Sequence, residues 1–427
     1  MNENKSQITR RGFFGVVGIA GVGVGMGIGG GLGPRVEAGE ARPVKRAEKR
    51  IIVGLDCGDA NVRVILAEAQ SGGTMRIMGR ALAPSRGIRE GRIVDAESAQ
   101  DSITNALVKV ETTYDVMIPS VYLGVTGACF SSFNNRGFVL IPENQEKITE
   151  HDCNNVRSNA RVRPIPQQDM FLHSIPQNFY VDWQQTVLNT VGMPGRRLDA
   201  DFHIIHGPRA TIQNPVRCLM KIPVAVEDVV FNPLASATAV LDADQKKLGA
   251  LVIDIGSGTT GYLVCVDGAV CQSGCVADGG RHISNEISET LSIPACSAER
   301  LKIWEGSGPI RTTMPGKNVT LKDDGYSAED REKLTSIIHV RIRQILESVK
   351  RRLDISGVQL RLLGAGVQLT GGCSLVRGIN ELVGEIFGIP AHRALVKGVS
   401  GFTSVLEDPG YACAIGLAKF AHERIFG

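Results

Sequence analysis

The chain has 427 residues, enough for two to four domains, and 43% of them are apolar, so a large core is available. A net charge of +3 and only 5% aromatic residues give no case for a nucleic-acid partner. The 10 cysteines include no CxxC pair and no zinc-ligand spacing; most sit inside apolar runs and read as reduced thiols.

In chain order, the first feature is an uncharged run of 23 residues from Gly12 to Pro34, long enough to cross a bilayer. Thr9-Arg10-Arg11-Gly12-Phe13-Phe14 before it matches a twin-arginine export signal, and "VEAGEA" after it is a loose cleavage site. Three readings stand open: a cleaved signal that exports the body, an uncleaved anchor, or a segment upstream of the true start. A basic linker, "RPVKRAEKR", leads to the first strand.

"IIVGLDCGDANVRVILAEA" (Ile51 to Ala69) reads as strand, Asp-x-Gly, tight turn, strand, and "LVIDIGSGTTGYLV" (Leu251 to Val264) repeats the pattern. The echo predicts two similar halves facing each other. Glycines in such turns let backbone N–H groups cradle an anion, and Thr259 and Thr260 add hydroxyl donors. An aspartate beside a phosphate site holds Mg²⁺, often through water, which assigns that role to Asp56 and Asp254. Two facing hairpins of this kind would clamp a nucleotide polyphosphate.

Between the hairpins, Ile103, Leu107 and Val110 share one face of an amphipathic helix that follows an Asp/Ser-rich start. "SVYLGVTG" is a buried strand. From Phe130 to about Arg209 the chain turns more polar and proline-containing, the texture of an inserted α+β subdomain. Val226 to Leu241 is helix-like. Around Ser327 to Ile355 the helix signal is clearest: Leu334, Ile337, Ile338, Ile342, Ile345, Val349 and Leu353 form an apolar stripe. Arg341, Arg343, Lys350 and Arg351 between them form either a solvated face or a docking patch for an acidic peptide. "GAGVQLTGGCSLVRGINELVGEIFGIP" reads as strand, Thr-Gly-Gly turn and helix, a third glycine-rich turn suited to a planar base.

These pieces resemble the actin/Hsp70/hexokinase superfamily, and within it the FtsA family of bacterial cell-division proteins. The likeness covers nearly all of Ile51 to Gly427. The hairpins fit the whole superfamily, whereas "SRGIREGRIVD" and "VGMPGRRLDADFHI" are the FtsA-like pieces; "NPLASATAVL", "DGGRHIS", "AERLK", "GVQLTGG" and "EDPGYACAIGLAKFA" accompany them. The resemblance implies an α/β, two-lobed actin-like fold of duplicated ribonuclease-H-like domains with an FtsA-type inserted α+β subdomain. It divides the chain into 1–50 (apolar segment and linker), 51–83 with 210–240 (first lobe) and 84–209 (the insertion with flanking first-lobe elements). Then come 241–280 with 357–427 (second lobe) and 281–356 (a small subdomain of the second lobe and candidate FtsZ-docking site).

It implies a protein that binds ATP and Mg²⁺, polymerises with itself, and tethers FtsZ filaments to the cytoplasmic face of the inner membrane at the division site. By motif, Asp56, Gly58, Asp59 and Asn61 belong to the first phosphate loop and Asp254, Gly256, Ser257, Gly258, Thr259 and Thr260 to the second. Gly279, Gly280, Glu299 and Lys302 fall near the ribose, and Gly371 and Gly372 near the adenine. Arg341 and Arg343 become the candidate contacts for the acidic tail of FtsZ. Departures from the family pattern are Asp59, where Ser or Thr is usual, Gly261, often Asp, and Asn232, often acidic across the superfamily. They point to slow or absent hydrolysis. The family's C-terminal amphipathic membrane helix has no counterpart before Gly427, so residues 12–34 are the expected anchor. The alternative function, a small-molecule kinase of the same fold, needs a carboxylate base near Gly261 and Tyr262, where the sequence has none.

Overall fold

A computed structural model describes residues 50–70, 74–186, 189–307 and 328–426. The apolar segment 12–34 and its linker lie outside the described residues. Among the described residues no helix is long and apolar enough to cross a membrane, and all 10 cysteines are free thiols.

The first lobe starts with an antiparallel meander, β1 (Arg50–Cys57), β2 (Asn61–Ala69) and β3 (Met75–Pro84). A short hairpin, β4 (Ile88–Arg89) and β5 (Arg92–Ile93), leads into α1 (Ala96–Tyr114). Asp95 caps that helix by accepting from the N–H groups of Glu97 and Ser98, and Ile103, Leu107 and Val110 face the sheet, as their spacing predicts. β6 (Ser120–Val125) then pairs parallel to β1.

The insertion follows as β7 (Ser131–Leu140), α2 (Glu150–Ala160), β8 (Asp169–Val181), β9 (Gln184–Thr186) and β10 (Arg197–Pro208). It builds its own sheet, ordered β7-β10-β8-β9, with α2 on one face. So the first-lobe elements that flank it within 84–209 are the β4–β5 hairpin, α1 and β6. The chain returns through α3 (Arg209–Met220) to β11 (Ala225–Phe231), which pairs parallel to β6, and then α4 (Asn232–Val240).

After the short α5 (Ala243–Leu248), the second lobe repeats the plan: β12 (Ala250–Ile255), β13 (Thr260–Val266) and β14 (Ala269–Val276) form the meander. Three helices follow, α6 (Gly280–Leu291), α7 (Ala295–Ser307) and α8 (Ala328–Ile355). β15 (Val367–Thr370) pairs parallel to β12; α9 (Ile379–Phe387) and β16 (Ala391–Arg393) complete the lobe. The orders β3-β2-β1-β6-β11 and β14-β13-β12-β15-β16 share one pattern, three antiparallel strands followed by two parallel ones. The duplicated two-lobed fold expected from the two hairpins is present.

Packing links two of the expected segments to their neighbours. The apolar stripe of α8 packs into the same core as Leu251, Ile253 and Leu369, and Ile283 and Ile287 of α6 and Ala298 of α7 join it. The chain end leaves the second lobe: β17 (Val399–Ser400) pairs with β3. Beyond α10 (Thr403–Leu406), α11 (Ala412–Phe426) buries Ala414, Ile415 and Ala418 against Ile52 and Ile65 of the first sheet. α4, in turn, packs beside Val252 and Leu263 of the second sheet. The lobes are thus joined by two exchanged helices. They approach so closely that a Cβ on Gly416 would stand 1.8 Å from the Ala235 carbonyl oxygen, which no side chain permits.

The insertion meets β14 through side chains. Ser132 Oγ donates to Ser273 O (2.8 Å), Asn134 Nδ2 to Cys271 O (2.9 Å) and Gln177 Nε2 to Val270 O (2.6 Å). His203, wholly buried, bridges Asn134 Oδ1 (2.7 Å) and Ser273 Oγ (2.8 Å) through its two ring nitrogens. Burial pushes its pKa down to about 4, so it holds this seam as a neutral ring.

Candidate functional site

The tips of both meander hairpins, the start of α6, one face of α7 and the turn after β15 surround one cavity of about 320 Å³. Asp56, Gly58, Asp59 and Asn61 line it from the first hairpin, and Asp254, Gly256, Ser257, Gly258 and Thr259 from the second. Gly280, Glu299, Lys302, Gly371 and Gly372 complete the wall. Five segments, spread along the chain from Asp56 to Gly372, are brought together because each hairpin ends at the same edge of its sheet and the sheets face each other.

The carboxylates of Asp56 and Asp254 are the electrostatic centre. Burial pushes Asp56 up to about 6; Arg63 pulls against this, Asp254 adds to it, and Asn232 Nδ2 donates to Oδ1 at 3.1 Å. Asp254 is likewise raised by burial, although Ser236 Oγ donates to its Oδ2 at 2.5 Å. Two buried acids, both raised by burial and the first raised further by the second, are suited to a cation beside them. Among the described residues no group of three or more His, Cys, Asp or Glu is set to hold a metal alone. A pair of carboxylates fits Mg²⁺, which keeps most of its water and takes further oxygens from a phosphate.

The wall opposite is backbone. Gly371 has φ +80°, and a Cβ there would stand 2.4 Å from Asp254 Oδ1, so only glycine lets this turn lie against the aspartate. Lys302 Nζ donates to Glu299 Oε2 and to Gly280 O, both at 2.7 Å, and Ser284 Oγ donates to the same Glu299 oxygen. This leaves Glu299 fixed at the mouth with acceptor capacity for a hydroxyl. Buried polar atoms without partners, Arg63 Nε and Asn232 Oδ1, belong to residues of the same cavity. An unsatisfied buried group in a concave site is what a polar ligand removes. The donor set, the cradle and the orphaned atoms therefore fit a nucleotide polyphosphate with a hydrated divalent ion.

Two sequence-predicted residues stand outside the cavity wall. Thr260 is wholly buried and its hydroxyl donates to Asp278 O at 2.8 Å, so it braces the second hairpin and is not a ligand donor. Gly279 precedes α6, its Cβ position 2.7 Å from Gly256 O, and serves close packing of helix on hairpin. The two α8 arginines that were candidate contacts each pair with an acidic residue. Arg341 pairs with Asp278 (3.0 Å) and Arg343 with Glu385 (3.0 Å). Both charges have acidic partners distant in sequence, and the Arg343 side chain remains 41% exposed.

Arg63 was the residue missed. It stands directly across the β1–β2 ladder from Asp56, in register, and lies beneath the Tyr411 ring, 5.8 Å from its centroid. The signal was available: a cation inside the apolar run "NVRVILA", on the strand facing an inward aspartate. At the equivalent place in the second hairpin, Gly261 faces Asp254, and a Cβ there would meet Pro233 Cγ at 2.6 Å.

Comparison with known proteins gives the following. Residues 127–206 match the model of the SHS2 domain inserted in FtsA, and residues 251–416 the model of the cell division protein FtsA. The cell division protein FtsA of Borreliella burgdorferi is 32% identical over 380 residues, which is 88% of this chain and 92% of that protein. That of Neisseria meningitidis serogroup B is 32% identical over 377 residues, 88% of this chain and 91% of the relative. Among solved structures, a chain of a PilM–PilN type IV pilus biogenesis complex superposes with a TM-score of 0.60 at 15% identity. The match covers 86% of this chain and 97% of that one, a likeness of fold alone.

Proposed function

The chain belongs to the FtsA family of actin-like cell-division proteins, and from that premise we propose that its cleft binds an adenine nucleotide with Mg²⁺. We further propose that the protein polymerises and tethers FtsZ filaments at the cytoplasmic face of the inner membrane. The observation that carries the nucleotide reading is the convergence of Asp56 and Asp254 from two equivalent hairpins on one cavity. In this reading the hairpin N–H groups and Arg63 hold phosphates, the two aspartates orient the hydrated ion, Glu299 and Lys302 take the ribose, and Gly371 and Gly372 lie against the base. The bound ion supplies charge neutralisation for the phosphates. Residues 12–34 are the proposed anchor.

Hydrolysis is slow or absent in this account. A water-orienting or proton-accepting group must stand free beside the terminal phosphate. Of the cavity carboxylates, Asp59 and Glu299 are tied to protein donors and Asp408 accepts from Gly410 N–H, while Asp56 and Asp254 face the ion. Asn232 accepts no proton. The same inventory weighs against a small-molecule kinase, since Pro233 fills the space a side chain at position 261 would need.

The test is titration of the full-length protein with ADP and ATP, with and without Mg²⁺, followed by flotation of lipid vesicles carrying the protein and FtsZ polymers. Nucleotide binding and co-flotation of FtsZ support the proposal. Absence of binding at millimolar nucleotide overturns the first part, and vesicles that float without FtsZ overturn the second.

A further inference from the structure

β4 and β5 are joined by a two-residue turn, Glu90–Gly91, in which both residues have positive φ, 50° and 74°. This geometry sends successive N–H groups to one side, making a nest for an anion. The nest is already filled by the protein itself. Glu90 N–H donates to Asp59 Oδ2, and Gly91 N–H to Oδ1 at 3.0 Å. Arg281, at the start of α6 in the other lobe, stands 3.4 Å from Oδ2 through Nη1, and its Nη2 donates to Asp59 O at 2.8 Å. The Asp59 side chain is only 3% exposed. Its Oδ2 lies 2.0 Å from where a Cβ on Gly258 would stand, so the carboxylate rests against the tip of the second hairpin. One side chain from the first hairpin thereby spans the gap between both tips, held by two backbone donors and a guanidinium.

We propose that Asp59 is an internal anion seated at the terminal-phosphate end of the cleft, and that it makes the site select a nucleoside diphosphate over a triphosphate. This rests on the nucleotide reading above and names its preferred ligand. In the nucleotide reading the outermost phosphate falls between the tips of the two facing hairpins, which both line the cavity. Here that position holds a fixed negative charge whose cation, Arg281, is committed to it, and a third phosphate must come up against it. A diphosphate ends short of the tips and meets the cation left over, Arg63, whose guanidinium lies between Gly58 and Gly410 with its Nε unpartnered. Asp59 and Arg281 also tie lobe to lobe, so the cleft closes on the shorter ligand without help from a γ-phosphate.

The experiment is calorimetric titration of full-length wild type, Asp59→Ser, Asp59→Asn and Arg281→Gln with ADP and with ATP in Mg²⁺. Wild type is expected to bind ADP about tenfold tighter than ATP or more, as close like charges require. Asp59→Ser should raise ATP affinity by about tenfold and leave ADP within roughly threefold. Asp59→Asn, which keeps the shape, should narrow the ratio less than Asp59→Ser does. Arg281→Gln, which strips the carboxylate of its cation, should widen it; this variant decides the matter if Asp59→Ser does not fold. ATP bound as tightly as ADP by wild type, or a ratio unmoved by these changes, overturns the inference and leaves the nucleotide reading standing. No binding of either nucleotide by wild type or variants overturns both.

Discussion

The cleft and the seam between insertion and β14 bury polar groups in opposite ways. At the seam the buried polar groups are paired: His203 is bonded at both nitrogens, and Asn134 and Gln177 donate to carbonyls of β14. In the cleft, two carboxylates are buried near each other, and Arg63 and Asn232 retain unpartnered atoms. A satisfied network holds a structure together, while an unsatisfied one costs stability unless something binds. The seam is therefore structural and the cleft receptive, and the two should answer differently to pH and to mutation.

The largest contrast is in pH dependence. His203, depressed from 6.5 to about 4 in the fold, contributes stability that is present above pH 6.5 and is lost as pH falls toward 4. Asp56, raised from 3.8 to about 6, acts in the reverse sense. The ligand-free fold binds its proton more tightly than the unfolded chain, so this group adds stability as pH falls from 6 toward 4. Each amounts to up to about 3 kcal/mol. Chemical denaturation at pH 7 and pH 5 should show Asp56→Asn losing more stability on acidification than wild type, and His203→Gln losing less. Parallel slopes would erase the contrast.

Asp254→Asn should cut Mg²⁺–nucleotide affinity about a hundredfold, roughly 2.7 kcal/mol, and at the same time stabilise the ligand-free protein, because a buried charge without a full partner has been removed. Titration calorimetry and a melting curve together check the two signs; a variant that binds normally would refute the metal role. At the seam the signs reverse. His203→Ala strands Ser273 Oγ and leaves Asn134 Oδ1 with only the longer bond from Gln177 Nε2, and should cost about 2 kcal/mol in denaturant unfolding, with nucleotide affinity unchanged. Arg63→Met should have the smallest effect, lowering ADP affinity by roughly tenfold while sparing stability; unchanged affinity would remove Arg63 from the phosphate site.

The features legible in the sequence were those written locally. Asp-x-Gly followed by small residues identified both hairpins, and the 3.6-residue stripe of α8 named the side chains that enter the second core. What stayed hidden depends on contacts between distant residues. Nothing near Asp59 reveals that residues 31 and 222 positions away bind its carboxylate and its carbonyl. Nothing near Arg341 or Arg343 shows Asp278 and Glu385 waiting for them. The return of α11 to the first sheet is a matter of topology, for which "GYACAIGLAKFA" carries only its small residues as a trace. Arg63 was legible in principle, through its register with Asp56, and needed the hairpin read as a ladder.

The central claim is that the cleft is built to receive a magnesium nucleotide between Asp56 and Asp254. Its most direct test is titration of the full-length protein with ADP, in Mg²⁺ and again in excess chelator. The account predicts saturable one-to-one binding that weakens about tenfold or more when the ion is removed. Binding that ignores the ion, or no binding at millimolar ADP, would contradict it.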